Sequence, residues 1–427
     1  MEATKKGVSV MIAIALIPLV MVLGNSMLVP VLPTMESQLG ISQFQSSLII
    51  TVFSFAAGVI IPLVGYLSDR YGRKMIIVPS LIVYGLGSIV SGLAAWLMEN
   101  SYTMIIVGRV IQGIGAAGTA YIAMALVGDL YSGGQESKAL GALESTNGLG
   151  KILSPIIGAL VAIIAWYAAF FVFPVICFAV AVYVWFGVPE KKKPKGKPLG
   201  PYLQALKQVF ASQGKWLIPA FFVGATGLFI LFGVLFYLSD VLEETHQIDG
   251  ILKGTILAIP LSGMVITAYI TGAQIKQNKP LIRKLMLIGL VLLTGSMAAV
   301  AFFEQLYVMI GLLTLGSVGT GLALPCLNTL ITAAVDKSER GMITSLYGSV
   351  RFLGVAFGPP IFGWLMKISH QVLFFSVTGL SLVTLVLAYF FIKPGVKGKG
   401  NTEQKGKARD QGQITETLFR KREKAPT

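Results

Sequence analysis

Charge, histidine and cysteine are all scarce in this sequence. Of its 427 residues, 12% are Asp, Glu, Lys or Arg, about half the roughly 25% usual in soluble domains. Two histidines and two cysteines offer no metal-ligand spacing and no disulfide framework, so no metal is expected. Cys177 and Cys326 fall inside apolar runs and read as small packing residues. A phosphate-cradling GxxxxGK[ST] stretch is missing, and Gly150-Lys151 lacks the upstream glycine, which argues against an ATP-driven pump. Without clusters of polar catalytic groups, neither an enzyme nor a cofactor is expected. What the chain has in abundance is apolar: 55% of residues are hydrophobic and the mean hydropathy is +0.77. Disorder requires the opposite balance. The 48 Gly and 19 Pro therefore fit transmembrane helices, where both are more frequent than in soluble ones.

A helix needs about 20 mostly apolar residues to cross the roughly 30 Å apolar slab of a bilayer. Twelve stretches qualify: 8–32, 46–67, 75–97, 103–127, 138–160, 163–187, 216–239, 252–275, 283–303, 306–330, 342–366 and 371–392. The Lys5-Lys6 start could open a cleaved signal, but the apolar run continues to Val31 without a small-residue cleavage site, so it is taken as the first span. An even number of spans places both termini on one side. That side holds 29 of the 34 Lys and Arg, against two on the other, Lys253 and Lys367, and three inside spans, Arg109, Lys151 and Arg351. The positive-inside rule makes it cytoplasmic, in a multi-pass plasma-membrane protein. Seven acids, Glu36, Glu99, Asp240, Glu243, Glu244, Asp249 and Glu304, lie opposite. The net charge of +15 is thus a topology signal and an attraction to anionic membrane lipid, and not a sign of nucleic-acid binding.

The expected architecture is all-α, with two pseudo-symmetric six-helix bundles, residues 1–187 and 216–393. A cytoplasmic linker, 188–215, joins them. In it Leu203, Leu206 and Phe210 recur at helical spacing, as in an amphipathic helix on the inner leaflet. The basic tail 394–427 has the composition of a disordered segment. An internal repeat supports the two halves. Asp129 and Asp336 follow the fourth and tenth spans 207 residues apart, and Gly150-x3-Ser154-Pro155 matches Gly354-x3-Gly358-Pro359 at an offset of 204. Six-plus-six repeats with a site between them near the midplane are a transporter architecture.

Between the second and third spans stands Gly65-Tyr66-Leu67-Ser68-Asp69-Arg70-Tyr71-Gly72-Arg73-Lys74. Gly65 and Gly72 permit close backbone approach, and Asp69 can cap a helix or pair with a cation. A merely basic loop would account for the Arg and Lys but not for the ordered Gly and Asp. The stretch resembles the GxLaDrxGrkxxl loop of the major facilitator superfamily. There the loop latches the first half to the eleventh span and favours the outward-open state, a role the resemblance implies for Gly65, Asp69, Arg70, Gly72, Arg73 and, after the fourth span, Asp129. The C-half counterpart, Gly272 to Lys284, has Lys276 in place of the Asp. Gly108-Arg109-Val110-Ile111-Gln112-Gly113 is similar to the family's RxxqGxgaa motif, whose Arg is linked to proton coupling. Gly150, Pro155 and Gly158 resemble its antiporter motif in part, with Ser154 and Ala159 replacing two glycines. Gly354, Gly358 and Pro359 form a fuller version in the eleventh span. Small residues and proline there give a close-packed, bendable helix, and packing alone remains an alternative.

Charges inside the spans should carry the chemistry. An arginine at mid-membrane costs about 2.5–3.5 kcal/mol on insertion scales, so Arg109 should face a partner or a wet cavity unless it snorkels to the outer surface. Glu144 is the one acid within a span, with Lys151 two turns later on the same face, about 10.5 Å along the helix. Arg351 occupies the repeat position of Asn147. Counting Arg109, the net +2 would favour an anionic or zwitterionic substrate over a bare organic cation. Asn25, Gln112, Asn147, Lys151 and Arg351 are the expected cavity residues, with Glu144 and Arg109 the proton-coupling pair. A solvated entrance position is the alternative for Glu144. Where many drug antiporters of the family carry an acid in span one, this chain has Asn25. His246 and His370 read as ordinary external surface residues.

The resemblance, in particular to the twelve-span drug:proton antiporter branch, implies a secondary transporter that exports a small organic compound, drug-like or an anionic metabolite, in exchange for protons, and a monomer is expected. A dedicated exporter of a siderophore or other metabolite is one alternative. Others are a nutrient symporter or importer and a non-transporting membrane sensor.

Overall fold

In the computed structural model, residues 2–131, 134–189, 198–275, 278–334 and 337–393 are described. Asp336, Lys276, the Lys191-Lys192-Lys193 start of the linker and the tail 394–427 lie outside the described residues. The chain forms α1 (Glu2–Ser26), α2 (Leu32–Leu39), α3 (Gln43–Tyr71), α4 (Lys74–Leu97), α5 (Tyr102–Ala117), α6 (Ala120–Leu130), α7 (Gly134–Ala162) and α8 (Ala169–Gly187). After the linker come α9 (Leu199–Asp240), α10 (Gly250–Ile275), α11 (Lys279–Val300), α12 (Leu306–Ala334), α13 (Lys337–Met366) and α14 (His370–Phe391).

Among the described residues, 11 helical segments are long and apolar enough to cross a membrane. Twelve were expected. The segment not among them is α7, whose 29 residues include Glu144, Asn147 and Lys151.

Two expected spans are broken. The first changes from α1 through a 3-10 turn, Val29–Val31, into α2, because Pro30 and Pro33 cannot donate to a continuous helix. The fourth divides into α5 and α6 at Thr119, whose φ −110° and ψ −96° leave the helical region. The expected linker helix and seventh span are instead one continuous helix, the 42-residue α9. Leu203 is exposed, but Leu206 and Phe210 are half-buried against the cluster containing Val209 and Leu217, so much of the stripe expected to lie on lipid packs on protein.

Helix packing repeats. α1 packs on α7 and α8, α3 and α4 pack on α5, and α4 packs on α8. In the later helices α9 packs on α13 and α14, α10 and α11 pack on α12, and α11 packs on α14. Each contact of the first set has its counterpart in the second. The two sets meet through α3 on α13 and α7 on α10. Close approach depends on glycine. A Cβ on Gly158 would sit 2.0 Å from the Met27 carbonyl oxygen, and one on Gly354 would sit 2.2 Å from that of Ala225. No side chain fits at either distance, so these motif glycines let α7 lie against the backbone just past α1, and α13 against that of α9.

Candidate functional site

The packing of the two helix sets leaves a cavity between them. Asn25, Glu144, Asn147, Lys151 and Arg351 line it, bringing five of the expected residues together from α1, α7 and α13. The wall also includes Tyr121, Phe53, Asn328, Thr332, Thr344, Tyr347 and Phe352, which sequence reasoning did not single out. Tyr121 and Asn328 stand 207 residues apart, the same spacing as Asp129 and Asp336, and that repeat could have found them. From Asn25 at the α1 break the lining runs to Thr332 near the end of α12 and Thr344 near the start of α13. The cavity therefore reaches toward the end of the molecule that carries the basic 68–74 loop, here called the basic end.

Glu144 is exposed within this space. Neither Glu144 nor Lys151 makes a side-chain hydrogen bond or ion pair among the described residues. Arg351 lies with its guanidinium carbon 5.4 Å above the Tyr347 ring, and its buried Nε has no acceptor. Two cations, one from each helix set, thus stand in the cavity with the Glu144 carboxylate within Coulombic range of both but, among the described residues, in no ion pair with either.

Arg109 is elsewhere. It is fully buried and does not line the cavity. Its Nε donates to the Ile49 carbonyl at 2.8 Å, Nη1 to the Gly24 carbonyl at 3.0 Å and to Gln112 Oε1 at 2.7 Å, and Nη2 to Asn25 Oδ1 at 2.7 Å. The guanidinium also lies 4.4 Å from the Phe53 ring centroid. Rather than snorkelling, it ties α5 to α3 and to the last turn of α1, holding Asn25 at the cavity wall. Gln112 is likewise buried and turned to Arg109. The cavity charge is accordingly two cations against one carboxylate, a surplus of one rather than two.

At the basic end, Gly72 turns the chain out of α3 with φ +111°, a conformation that suits glycine. Arg73 then pairs with Asp69 at 2.5 Å and Asp129 at 3.2 Å, and its Nη1 donates to Ser68 Oγ at 2.5 Å. Arg70 stands outside this network, exposed, and donates to Tyr66 Oη at 3.3 Å. Gly65 faces α13, where a Cβ would meet Ser345 Oγ at 2.7 Å. The five residues other than Arg70 assigned to the loop thus gather at the α3–α13 contact or the Arg73 network beside it.

The opposite, acidic end is crossed by polar contacts between the sets. Gln43 Nε2 donates to Asp240 Oδ1 at 2.9 Å, Ser239 Oγ to the Val29 carbonyl at 3.0 Å, and Thr34 Oγ1 to Glu243 Oε1 at 3.4 Å. His246 is exposed there, but His370 is not the free surface residue expected. Its Nε2 lies 2.8 Å from the Val300 carbonyl and must donate, which leaves Nδ1 to accept from Tyr237 Oη at 2.7 Å. The ring is half-buried because both nitrogens have partners.

Two repeated helix sets enclosing a central cavity with unpaired charges define a membrane transporter. A sequence model described as Major Facilitator Superfamily matches residues 14–282 and 281–423, and the chain belongs to that superfamily. It is a multi-pass membrane protein. The chain is 43% identical, over 89% of its own length and 96% of the relative's, to a bacillibactin exporter of Bacillus subtilis (strain 168). A multidrug efflux protein of the same organism, YfmO, is 28% identical over 83% of this chain and 86% of its own. The fold is similar to that of the human organic anion transporter MFSD10, with a TM-score of 0.70 at 19% identity, covering 89% of this chain and 99% of that one. A D-xylose-proton symporter gives a TM-score of 0.74 at 14% identity, over 92% and 99%.

Proposed function

We propose that this protein exports a small organic compound from the cytoplasm, in exchange for protons, by alternating access between two six-helix bundles in the plasma membrane. In this reading α7 is the twelfth span, since its counterpart in the repeat, α13, is among the 11 apolar segments. The basic end and both termini are cytoplasmic, and the protein works as a monomer in contact with lipid. The cavity then reaches toward the cytoplasmic end, from which an exporter collects its cargo, while polar contacts between the two sets bridge the acidic end.

One observation supports the reading of the cargo: Lys151 and Arg351 enter the cavity from opposite halves, and among the described residues the single carboxylate there, Glu144, leaves a surplus of one positive charge and forms no ion pair with either. A guanidinium has five N–H donors and no acceptor. An anionic, oxygen-rich cargo would supply the missing acceptors to both halves at once, and Tyr121, Tyr347 and Phe53 would supply ring contacts. A siderophore has this chemistry, and the 43% identity to a bacillibactin exporter supports it over a drug-like cation. Replacing Lys151 or Arg351 by Ala should reduce efflux of an anionic substrate more than that of a cationic dye, measured side by side in producing cells. Equal loss for both would contradict the anion reading.

Proton coupling is assigned to Glu144, the unpaired carboxylate beside those cations, with Arg109 acting through Asn25 to fix the α1 wall. The Asp69–Arg73–Asp129 network is the cytoplasmic latch, and Gly150, Pro155, Gly158, Gly354, Gly358 and Pro359 form the packed hinges.

A further inference from the structure

We propose that the acidic end is closed by a proton-sensitive seam, in which Glu36 of the first helix set faces Asp240, Glu243 and Glu244 of the second, so that protonating the cluster favours closure and deprotonating it favours opening. Glu36 is carried by α2, the short helix beyond the α1 break, and accepts from Ser46 Oγ at 2.5 Å. Asp240, Glu243 and Glu244 lie within Coulombic range of it, on the last turn of α9 and the π-turn Val241–Thr245. Across the seam Asp240 accepts from Gln43 and Glu243 from Thr34.

The charges in this seam do not balance. Lys253 of α10, only 1% exposed, is paired with Glu243 and also feels Asp240 and Asp249. Among the described residues it is the one cation within Coulombic range of this cluster. The α3 side offers the neutral donors Gln43 and Ser46, and α13 offers Met366, whose Sδ lies 3.5 Å from Gln43 Nε2. One turn before Asp240, Tyr237 is bonded to His370 of α14 and faces Glu304. Lys253, paired with Glu243 and within Coulombic range of Asp240, stands among the described residues against the four carboxylates of Glu36, Asp240, Glu243 and Glu244, which closure holds together from both sides. Like charges brought together oppose closure, and a proton on any of them reduces that repulsion. Opening separates Glu36 from the other three and removes the repulsion by distance instead.

The seam's sensitivity is independent of how the molecule is inserted. That external acidity is what closes it rests on the orientation proposed above. The test is therefore made in detergent micelles, where both ends meet the same pH. Spin labels on Gln38→Cys and His246→Cys, both exposed and on opposite sides of the seam, report its width. The native Cys177 and Cys326 are fully buried. Going from mildly alkaline to mildly acidic pH should raise the short-distance population. Glu36→Gln and, separately, Asp240→Asn should raise that population at alkaline pH by roughly two- to fivefold, the range of one exposed charge pair, and flatten the pH response. A pH-invariant distance distribution in the parent, or an undiminished response in both variants, would overturn the proposal.

Discussion

Arg109 donates to four acceptors, none of them a carboxylate. Three are on other helices, and two of those belong to Gly24 and Asn25, where α1 is about to break. A lysine carries the same charge as a point and cannot span these positions as a planar fork does. Arg109→Lys is expected to lower stability by about 1–3 kcal/mol, read as a drop in the midpoint of thermal unfolding in detergent. Unchanged unfolding would mean that the network does not hold α1. Glu144 makes the opposite kind of prediction, because among the described residues its carboxylate takes part in no hydrogen bond or ion pair. Glu144→Gln should leave expression and unfolding unaltered while abolishing proton-driven efflux, and unchanged efflux would remove it as the coupling residue.

At the scale of the helix, the glycine-proline motifs act through geometry. Gly158→Leu would drive a side chain into the Met27 carbonyl and force α1 and α7 apart, so little folded protein is expected by size-exclusion chromatography. Full recovery of folded protein would show that α1 can yield. The latch is a different case. Asp69→Asn removes a charge from the Arg73 pair without adding volume, and it should slow turnover while substrate affinity changes little. A pure loss of affinity would contradict the latch role.

These elements also show what the sequence made legible. The spacing of apolar runs and of Asp69, Gly72 and Arg73 was enough to place the helices and the loop network, because both depend on local order. Breaks at Pro30 and Thr119 were hidden because each sits inside an uninterrupted apolar run. Arg109 was legible as a buried charge. That it turns away from the cavity depends on acceptors at residues 24, 25 and 49, which only tertiary structure brings within reach. Tyr347 and Phe352 were missed because an aromatic in an apolar span reads the same whether it faces lipid, core or cavity.

At the scale of the whole molecule, the charges divide into a basic end, an acidic end and a cavity carrying two cations and one carboxylate between them. The central claim is that this cavity takes an anionic cargo from the cytoplasm and releases it outside in exchange for protons. Everted plasma-membrane vesicles containing the protein, energised to acidify their interior, test it most directly through uptake of a labelled siderophore. The account predicts accumulation that a protonophore abolishes and that the double variant Lys151→Ala, Arg351→Ala loses. Accumulation no greater than in vesicles lacking the protein, or equal in the double variant, would contradict it.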